Sequence, residues 1–425
     1  MRLTLRNIGK IGEASVEING ITVIAGENNT GKSTVGRALF SVFNSFYNVQ
    51  QRIENERISS VENLLDQMYF MSSRSSVIRG MNTREAAKAI VSQIDTFRQS
   101  PLPDLRKMIL DQLSQYSDGS IDALKEKAVT DAVSRIRDVL NISDSDFLES
   151  VLERQLATEF SGQVCNIFSE DGGEIRLQIK DSAVTVSIQG EEGVEIQNPD
   201  NISLHTETVY IDDPFVLDQT GAFLRRPPSS SVDHRSHLRL KLSRQDAGPN
   251  VFDEILAKDK LNGIYERISS VCSGDVVRNK FSGVGYQRRG SDKVLNVRNL
   301  SAGLKTFVIL KMLLTTGAIE RNGTVILDEP ENHLHPEWQL LFAELIVLIQ
   351  REFALHVLLN THSPYFLNAI EVYTAKYGVD SRCKYYLAST REDISSLEDV
   401  TDHLEAIYRK LARPLQDLED KRDRL

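Results

Sequence analysis

The sequence predicts an α/β fold: a mixed sheet with an antiparallel lead-in, a large helical insertion and a helical C-terminal segment. Three observations carry this. Gly26-Glu27-Asn28-Asn29-Thr30-Gly31-Lys32-Ser33-Thr34 fits the phosphate-binding loop G-x-x-x-x-G-K-[ST] at every fixed position. It stands between an apolar run, Ile21-Thr22-Val23-Ile24-Ala25, and a stretch where Val35, Ala38, Leu39, Val42, Phe43 and Phe46 recur at helical spacing. A second apolar strand, Thr324-Val325-Ile326-Leu327, delivers Asp328-Glu329-Pro330-Glu331 at its end.

The residue types in these motifs suit one chemistry. Glycines in the first loop let backbone N–H groups turn inward on phosphate oxygens at a helix N-terminus, where the dipole favours negative charge. At that spacing Lys32 reaches β- and γ-phosphates and the Ser33 hydroxyl ligates Mg²⁺. Adjacent carboxylates at a strand end divide two tasks, Asp328 for the metal and Glu329 to orient and deprotonate an attacking water. His362, in Thr361-His362-Ser363-Pro364 after the apolar run Leu355 to Leu359, is placed to hydrogen-bond a γ-phosphate. Leu300-Ser301-Ala302-Gly303-Leu304-Lys305-Thr306 opens a helix with a small turn, a second anion site at a helix N-terminus.

Composition narrows the class. The 425 residues are 26% charged and 40% hydrophobic, ordinary globular values. No apolar run reaches the roughly 18 residues of a membrane span, and Met1-Arg2-Leu3-Thr4-Leu5-Arg6 lacks a signal-peptide core, so a cytoplasmic protein with no membrane partner is expected. Cys165, Cys272 and Cys383 are scattered, which argues against a disulfide framework or a zinc site. The net charge of −10 argues against nonspecific nucleic-acid binding over the whole surface but leaves room for a basic patch.

Taken in order, Arg2 to Arg6, Ala14 to Ile18 and Ile21 to Ala25 read as three strands, with Asn19-Gly20 as a hairpin turn into the third. Residues 1–48 form the first lobe, with the phosphate-binding loop. Residues 49–170 read as a helical insertion; Ile121, Leu124, Ala128, Ala132, Ile136, Val139 and Leu140 mark one face, and Ser143 to Asp146 a helix cap. Residues 171–200 alternate as a small antiparallel sheet. Residues 201–390 return to the main sheet through Thr208 to Ile211, ending in Asp212-Asp213, and 391–425 read as a charged helical tail. Two basic clusters, one with Arg225 and Arg226 and one with Arg288 and Arg289, suit a DNA or RNA contact, an acidic protein partner or plain solvation.

The ensemble resembles the ABC-type ATPase head, and within it the SMC and Rad50-like branch. Leu327-Asp328-Glu329-Pro330-Glu331-Asn332-His333-Leu334-His335-Pro336 and Thr361-His362-Ser363-Pro364-Tyr365-Phe366-Leu367 resemble, more particularly, the OLD-like ATPases of bacterial antiphage systems. The similarity covers roughly residues 1 to 45 and 205 to 390. Among these the stand-alone ATPase subunits of the Septu type match best, those of the PARIS type next. The resemblance implies ATP and Mg²⁺ as cofactors and ATP hydrolysis as the reaction. It also implies self-association as a dimer or higher, with Ser301, Ala302 and Gly303 acting in trans, and a separately encoded nuclease or toxin partner of the HNH or TOPRIM type. No nuclease domain is expected in this chain. The signature departs from the transporter form Leu-Ser-Gly-Gly-Gln in Ala302, Leu304 and Lys305, and Asp213 is the candidate where that class carries a metal-water glutamine. The alternative reading is a Rad50- or RecF-like ATP-driven DNA clamp, against which stand the acidic charge and the absence of a C-x-x-C hook.

Overall fold

The computed structural model describes residues 1–72, 82–116, 125–169, 171–189, 193–198, 202–220, 232–243, 262–279 and 283–422. The expectations for Ile121, Leu124, Arg225 and Arg226 fall outside these residues. The chain divides into two compact units: Met1–Tyr47 with Val151–Leu425, and Asn48–Ser150. Among the described residues no helix is long and apolar enough to cross a membrane.

The chain opens with β1 (Arg2–Ile8), β2 (Ile11–Glu17), β3 (Ile21–Gly26) and α1 (Lys32–Phe46). Helices α2 (Val49–Ser72), α3 (Thr83–Ser92), α4 (Ile94–Gln99), α5 (Leu102–Gln115), α6 (Glu126–Asn141) and α7 (Asp144–Glu159) follow. Next come β4 (Gly173–Ile179), β5 (Ser182–Ile188), β6 (Val194–Gln197), β7 (Thr208–Ile211) and α8 (His234–Ser243). A hairpin-like group, β8 (Asp275–Asn279), β9 (Gly283–Gln287) and β10 (Val294–Asn296), precedes α9 (Ala302–Thr315). The rest is β11 (Thr324–Asp328), α10 (Pro336–Phe353), β12 (His356–Thr361), α11 (Pro364–Lys376), β13 (Lys384–Arg391), β14 (Ile394–Asp399) and α12 (Glu405–Arg422).

Eleven strands form one sheet in the order β6-β5-β4-β1-β2-β14-β13-β3-β12-β11-β7. Its functional half is parallel: β13, β3, β12, β11 and β7 all run the same way. The sequence shows why. In β3 and β11 every residue is buried, as a strand covered on both faces requires, and both are near-continuous apolar runs. In β1 buried residues alternate with more exposed ones, the pattern of a sheet with one wet face. Helix α1 buries Val35, Ala38, Leu39, Val42, Phe43 and Phe46, the stripe its spacing predicts. Each fully buried side chain of this size contributes about 1.5–3 kcal/mol relative to exposure.

Three expectations are corrected. Asn19-Gly20 is not a hairpin turn, because β13 and β14 insert between β2 and β3. The glycine is still required: its φ is 66°, and a Cβ there would lie 2.6 Å from the Arg382 carbonyl oxygen. The strands of residues 171–200 form no separate sheet, since β4 pairs antiparallel with β1 and extends the main one. The final segment is not helical throughout, because β14 pairs with β13 and β2 before α12 begins. The stretch Ile394–Asp399 carries no apolar alternation, its two apolar residues standing three apart with Ile394 exposed, so its residues alone give no strand signal.

The helical unit packs around one apolar core, which takes in the expected face of α6. Ala86, Ala87, Ile90 and Val91 of α3, Leu105, Ile109 and Leu113 of α5, and Ala128, Ala132, Ile136 and Leu140 of α6 share one core. The Ser143 hydroxyl accepts from the Asp146 N–H at 3.0 Å, which caps α7 as its sequence predicts.

Candidate active site

Parallel strands place their carboxyl ends on one edge of the sheet, where α/β folds bind ligands. Four of those ends carry the residues singled out above. β3 leads into the phosphate-binding loop, β11 ends at Asp328, β12 at Thr361 before His362, and β7 at Ile211 before Asp212 and Asp213.

The loop is shaped by its glycines. A Cβ at Gly26 would lie 2.6 Å from the Ala388 carbonyl oxygen, and Gly31 takes φ 80°, which a β-carbon disfavours. Gly31 is also the N-cap of α1, where no side chain caps the helix and the first turn holds no acidic residue. The helix start therefore keeps free N–H donors and an uncompensated positive dipole end. Lys32, only 4% exposed, donates from Nζ to the Gly26 carbonyl at 3.1 Å and the Glu27 carbonyl at 2.8 Å.

The acidic pair is held from both neighbouring strands. Asp328 accepts at Oδ2 from the Tyr210 hydroxyl (2.9 Å) and at Oδ1 from the Asn360 amide (3.0 Å). Burial, and after it the Asp328 charge, push the Tyr210 phenol well above its ordinary value, so it remains a donor. Glu329 has φ 49°, a conformation non-glycine residues rarely adopt, and its N–H is anchored on the Asn360 carbonyl at 2.9 Å. Such backbone strain costs on the order of 1–3 kcal/mol and concentrates at functional sites. It aims the Glu329 carboxylate at the loop: Oε1 lies 3.6 Å from Lys32 Nζ and 3.3 Å from His362 Nδ1, while Asn332 donates to Oε2 at 3.1 Å.

Glu331, the third carboxylate of this stretch, turns inward. It is 4% exposed and accepts from the Thr361 hydroxyl and from the His362 N–H at 3.2 Å. Burial raises its carboxyl above the usual range, with the Thr361 bond working against that rise. It anchors the turn that presents His362.

This donor set fits a triphosphate with Mg²⁺. The buried ammonium and open helix N-terminus suit an anion, and Mg²⁺ characteristically takes one or two carboxylates with the substrate's own phosphates rather than a protein cage. Among the described residues no group of three His, Cys, Asp or Glu gathers as a metal cage. Asp328 and Ser33 would hold the cation, which would withdraw charge from the phosphate oxygens. With such a ligand bound, Lys32 would neutralise the phosphate chain, Glu329 would accept a proton from water, and His362 would orient the reacting end.

A cavity of about 230 Å³ opens beside Asp328 and Glu329, lined also by Asp212, Asp213 and Arg235. Asp213 thus does reach the site, although its Oδ1 is engaged by the Phe215 N–H at 2.8 Å. Behind it lies a network that the sequence did not announce. His234 sits between Glu159 and Asp212, with Nε2 3.0 Å from Asp212 Oδ2, and stacks on the Tyr210 ring at 4.3 Å. Burial alone would lower its pKa; the hydrogen bonds to Asp212 and Glu159 outweigh burial and raise it to about 9. Asp212 is likewise opposed by burial but held below the usual range by His234 and Arg235.

Ser301 caps α9, accepting from the Leu304 N–H at 3.4 Å, and is exposed. Gly303 has a local reason to be glycine: a Cβ would lie 2.9 Å from the His333 carbonyl oxygen and 3.2 Å from the Trp338 ring. Lys305, 1% exposed, pairs with Asp218 at 2.7 Å, tying the start of this helix to the segment after β7. Arg288 and Arg289 are exposed in the connection between β9 and β10, and Arg298, after β10, donates to the Asp218 carbonyl at 3.1 Å. Tyr210 and Asn360 were missed by sequence reading. Their signal was a polar side chain beside apolar residues of a strand that reads as buried, which must find a partner.

Several known proteins are similar to this chain. An OLD nuclease from Thermus scotoductus is 32% identical over 89 residues, which is 21% of this chain and 17% of that protein. Among solved structures, the SMC head domain from Thermotoga maritima aligns over 94% of this chain and 98% of that one, at 10% identity and TM-score 0.39. An SMC head bound to the C-winged helix domain of ScpA aligns over 94% and 96%, at 11% identity and TM-score 0.43. The family model described as "AAA domain, putative AbiEii toxin, Type IV TA system" matches residues 21–368. With most of its length and every strand-end motif inside that match, the chain belongs to this AAA-domain family.

Proposed function

We propose that this chain binds and hydrolyses ATP with Mg²⁺, and serves as the sensor and scaffold subunit of an antiphage defence complex. The observation that carries the enzymatic reading is the convergence of Lys32 and His362 on Glu329, at 3.6 and 3.3 Å, beside an uncapped helix N-terminus. The defence reading is supported by the motifs Leu327 to Pro336 and Thr361 to Leu367, which resemble OLD-like antiphage ATPases, and by the stretch shared with a protein named an OLD nuclease. Within that group the Septu type is our assignment and the PARIS type its nearest rival.

In this account two copies at least associate, and Ser301, Ala302 and Gly303 of one close on the nucleotide held by Lys32, Asp328 and Glu329 of the other. A separately encoded HNH or TOPRIM nuclease, or a toxin, docks on the assembly. ATP occupancy shifts the population between assemblies that hold and release it, so slow turnover suffices. Co-expression with the product of the neighbouring gene tests this. An ATP-dependent complex whose nuclease or toxin activity changes on nucleotide loss is expected; a neighbour that neither co-purifies nor changes activity removes the scaffold role.

A second reading has one observation in its favour, the exposed Arg288 and Arg289 between β9 and β10. If the chain is instead an ATP-driven DNA clamp, duplex affinity requires ATP and falls steeply with salt, and Arg288→Ala with Arg289→Ala reduces the salt slope by roughly two.

A further inference from the structure

Tyr210 is 1% exposed and caged on three sides. His234 stacks on its ring at 4.3 Å, and Phe40 meets it edge-on at 6.1 Å. Its hydroxyl packs closely over Gly36 of α1, where a Cβ would lie 3.0 Å from the phenol oxygen. From this cage the hydroxyl donates to Asp328 Oδ2 at 2.9 Å, while Asn360, fully buried, donates to Oδ1 at 3.0 Å. Each carboxylate oxygen so receives one donor from an adjacent strand and keeps a second lone pair.

We propose that Tyr210 is a positioning residue for the divalent cation of this site, fixing the orientation in which Asp328 presents its remaining lone pairs. The proposal rests on the ATP-site reading above and adds a residue to it. The phenol is buried and does not line the cavity beside Asp328 and Glu329. It acts through Asp328, as outer partners of metal ligands do, and their loss typically costs 10–100-fold in metal affinity. The arrangement also accounts for two features that catalysis alone leaves idle: a tyrosine within the fully buried β7, and a glycine in the second turn of α1.

The test separates the cation from the nucleotide. Affinity of the full chain for a non-hydrolysable ATP analogue is measured in EDTA, and again with Mn²⁺ as the probe. The gain on adding Mn²⁺ reads the metal site. For Tyr210→Phe we expect that gain to fall about tenfold, with the EDTA affinity kept within roughly twofold of wild type and thermal unfolding little changed. Gly36→Ala, which keeps the hydroxyl but presses on it, is expected to reduce the same gain. An Mn²⁺ gain equal to wild type in both variants overturns the proposal. So does an equal loss with and without Mn²⁺, since Tyr210 would then support the whole pocket. If wild type itself shows no analogue binding, the ATP-site reading fails first, a result distinct from either.

Discussion

Lys32 Nζ stands 3.6 Å from Glu329 Oε1, so the cation of the phosphate-binding loop and the carboxylate after β11 face one another across the end of β12. Both groups are separated by nearly 300 residues of sequence and are brought together by three parallel strands, β3, β12 and β11. The contact is partly a placeholder: the same ammonium also donates to the Gly26 and Glu27 carbonyls, and a phosphate chain offers it stronger, charged acceptors.

Lys32→Ala removes the buried ammonium and its bond to the Gly26 carbonyl at the end of β3, but leaves the strand pairing in place. A hydrogen bond to a charged group contributes about 1.5–3 kcal/mol, so ATP affinity should fall at least tenfold, with unfolding temperature little changed. Calorimetric titration checks this; retained affinity would mean that the loop does not hold the phosphates.

The His234 cluster predicts a pH dependence of stability. Its folded pKa, about 9, lies above the ordinary value of 6.5, so it contributes stability that is full below pH 6.5 and is lost as pH rises towards 9. The groups facing it are Glu159, Asp212 and the Tyr210 ring, with Arg37 3.9 Å from Glu159 and Arg235 bonded to Asp212. Unfolding temperature should therefore drop by on the order of 2 °C or more between pH 7 and 9.5. His234→Gln should lower stability at pH 7 and flatten that slope. Parallel slopes for the two proteins would contradict it.

How legible the molecule was depends on the kind of information each feature needed. The loop, the Asp328-Glu329 pair and His362 were readable because local pattern and chemistry coincide in them: an apolar strand, a turn, and a reactive group at its end. Strand order was not readable. Asn19-Gly20 has the composition of a hairpin turn, yet the chain there steps across two strands that arrive more than 360 residues later. The supporting partners were hidden for the same reason. Nothing near Tyr210 or Asn360 in sequence says that both will meet Asp328, and nothing near Glu159 says it will meet His234. Gly303 illustrates a third case: its residue type was read for phosphate approach, while the His333 carbonyl and Trp338 ring give it a packing role as well.

The trans arrangement predicts a separation of functions at Ser301. Because Ser301 is exposed and its hydroxyl caps α9, Ser301→Arg costs about 1 kcal/mol in helix capping but leaves the chain's own loop intact. ATP binding to the monomer should persist, whereas ATP-dependent dimer formation, followed by light scattering, and turnover should both be lost. Full turnover in the variant would place the signature outside the reacting site.

Glu329→Gln bears most directly on the central claim, that one chain's lysine and acidic pair make a hydrolytic triphosphate site. The measurement is phosphate release at saturating ATP, paired with ATP affinity. The amide keeps the size and the Asn332 contact but cannot take a proton, and general-base catalysis is worth roughly 10²–10⁴-fold. The account predicts turnover reduced at least a hundredfold by that principle, with ATP still bound. Turnover equal to wild type would contradict it.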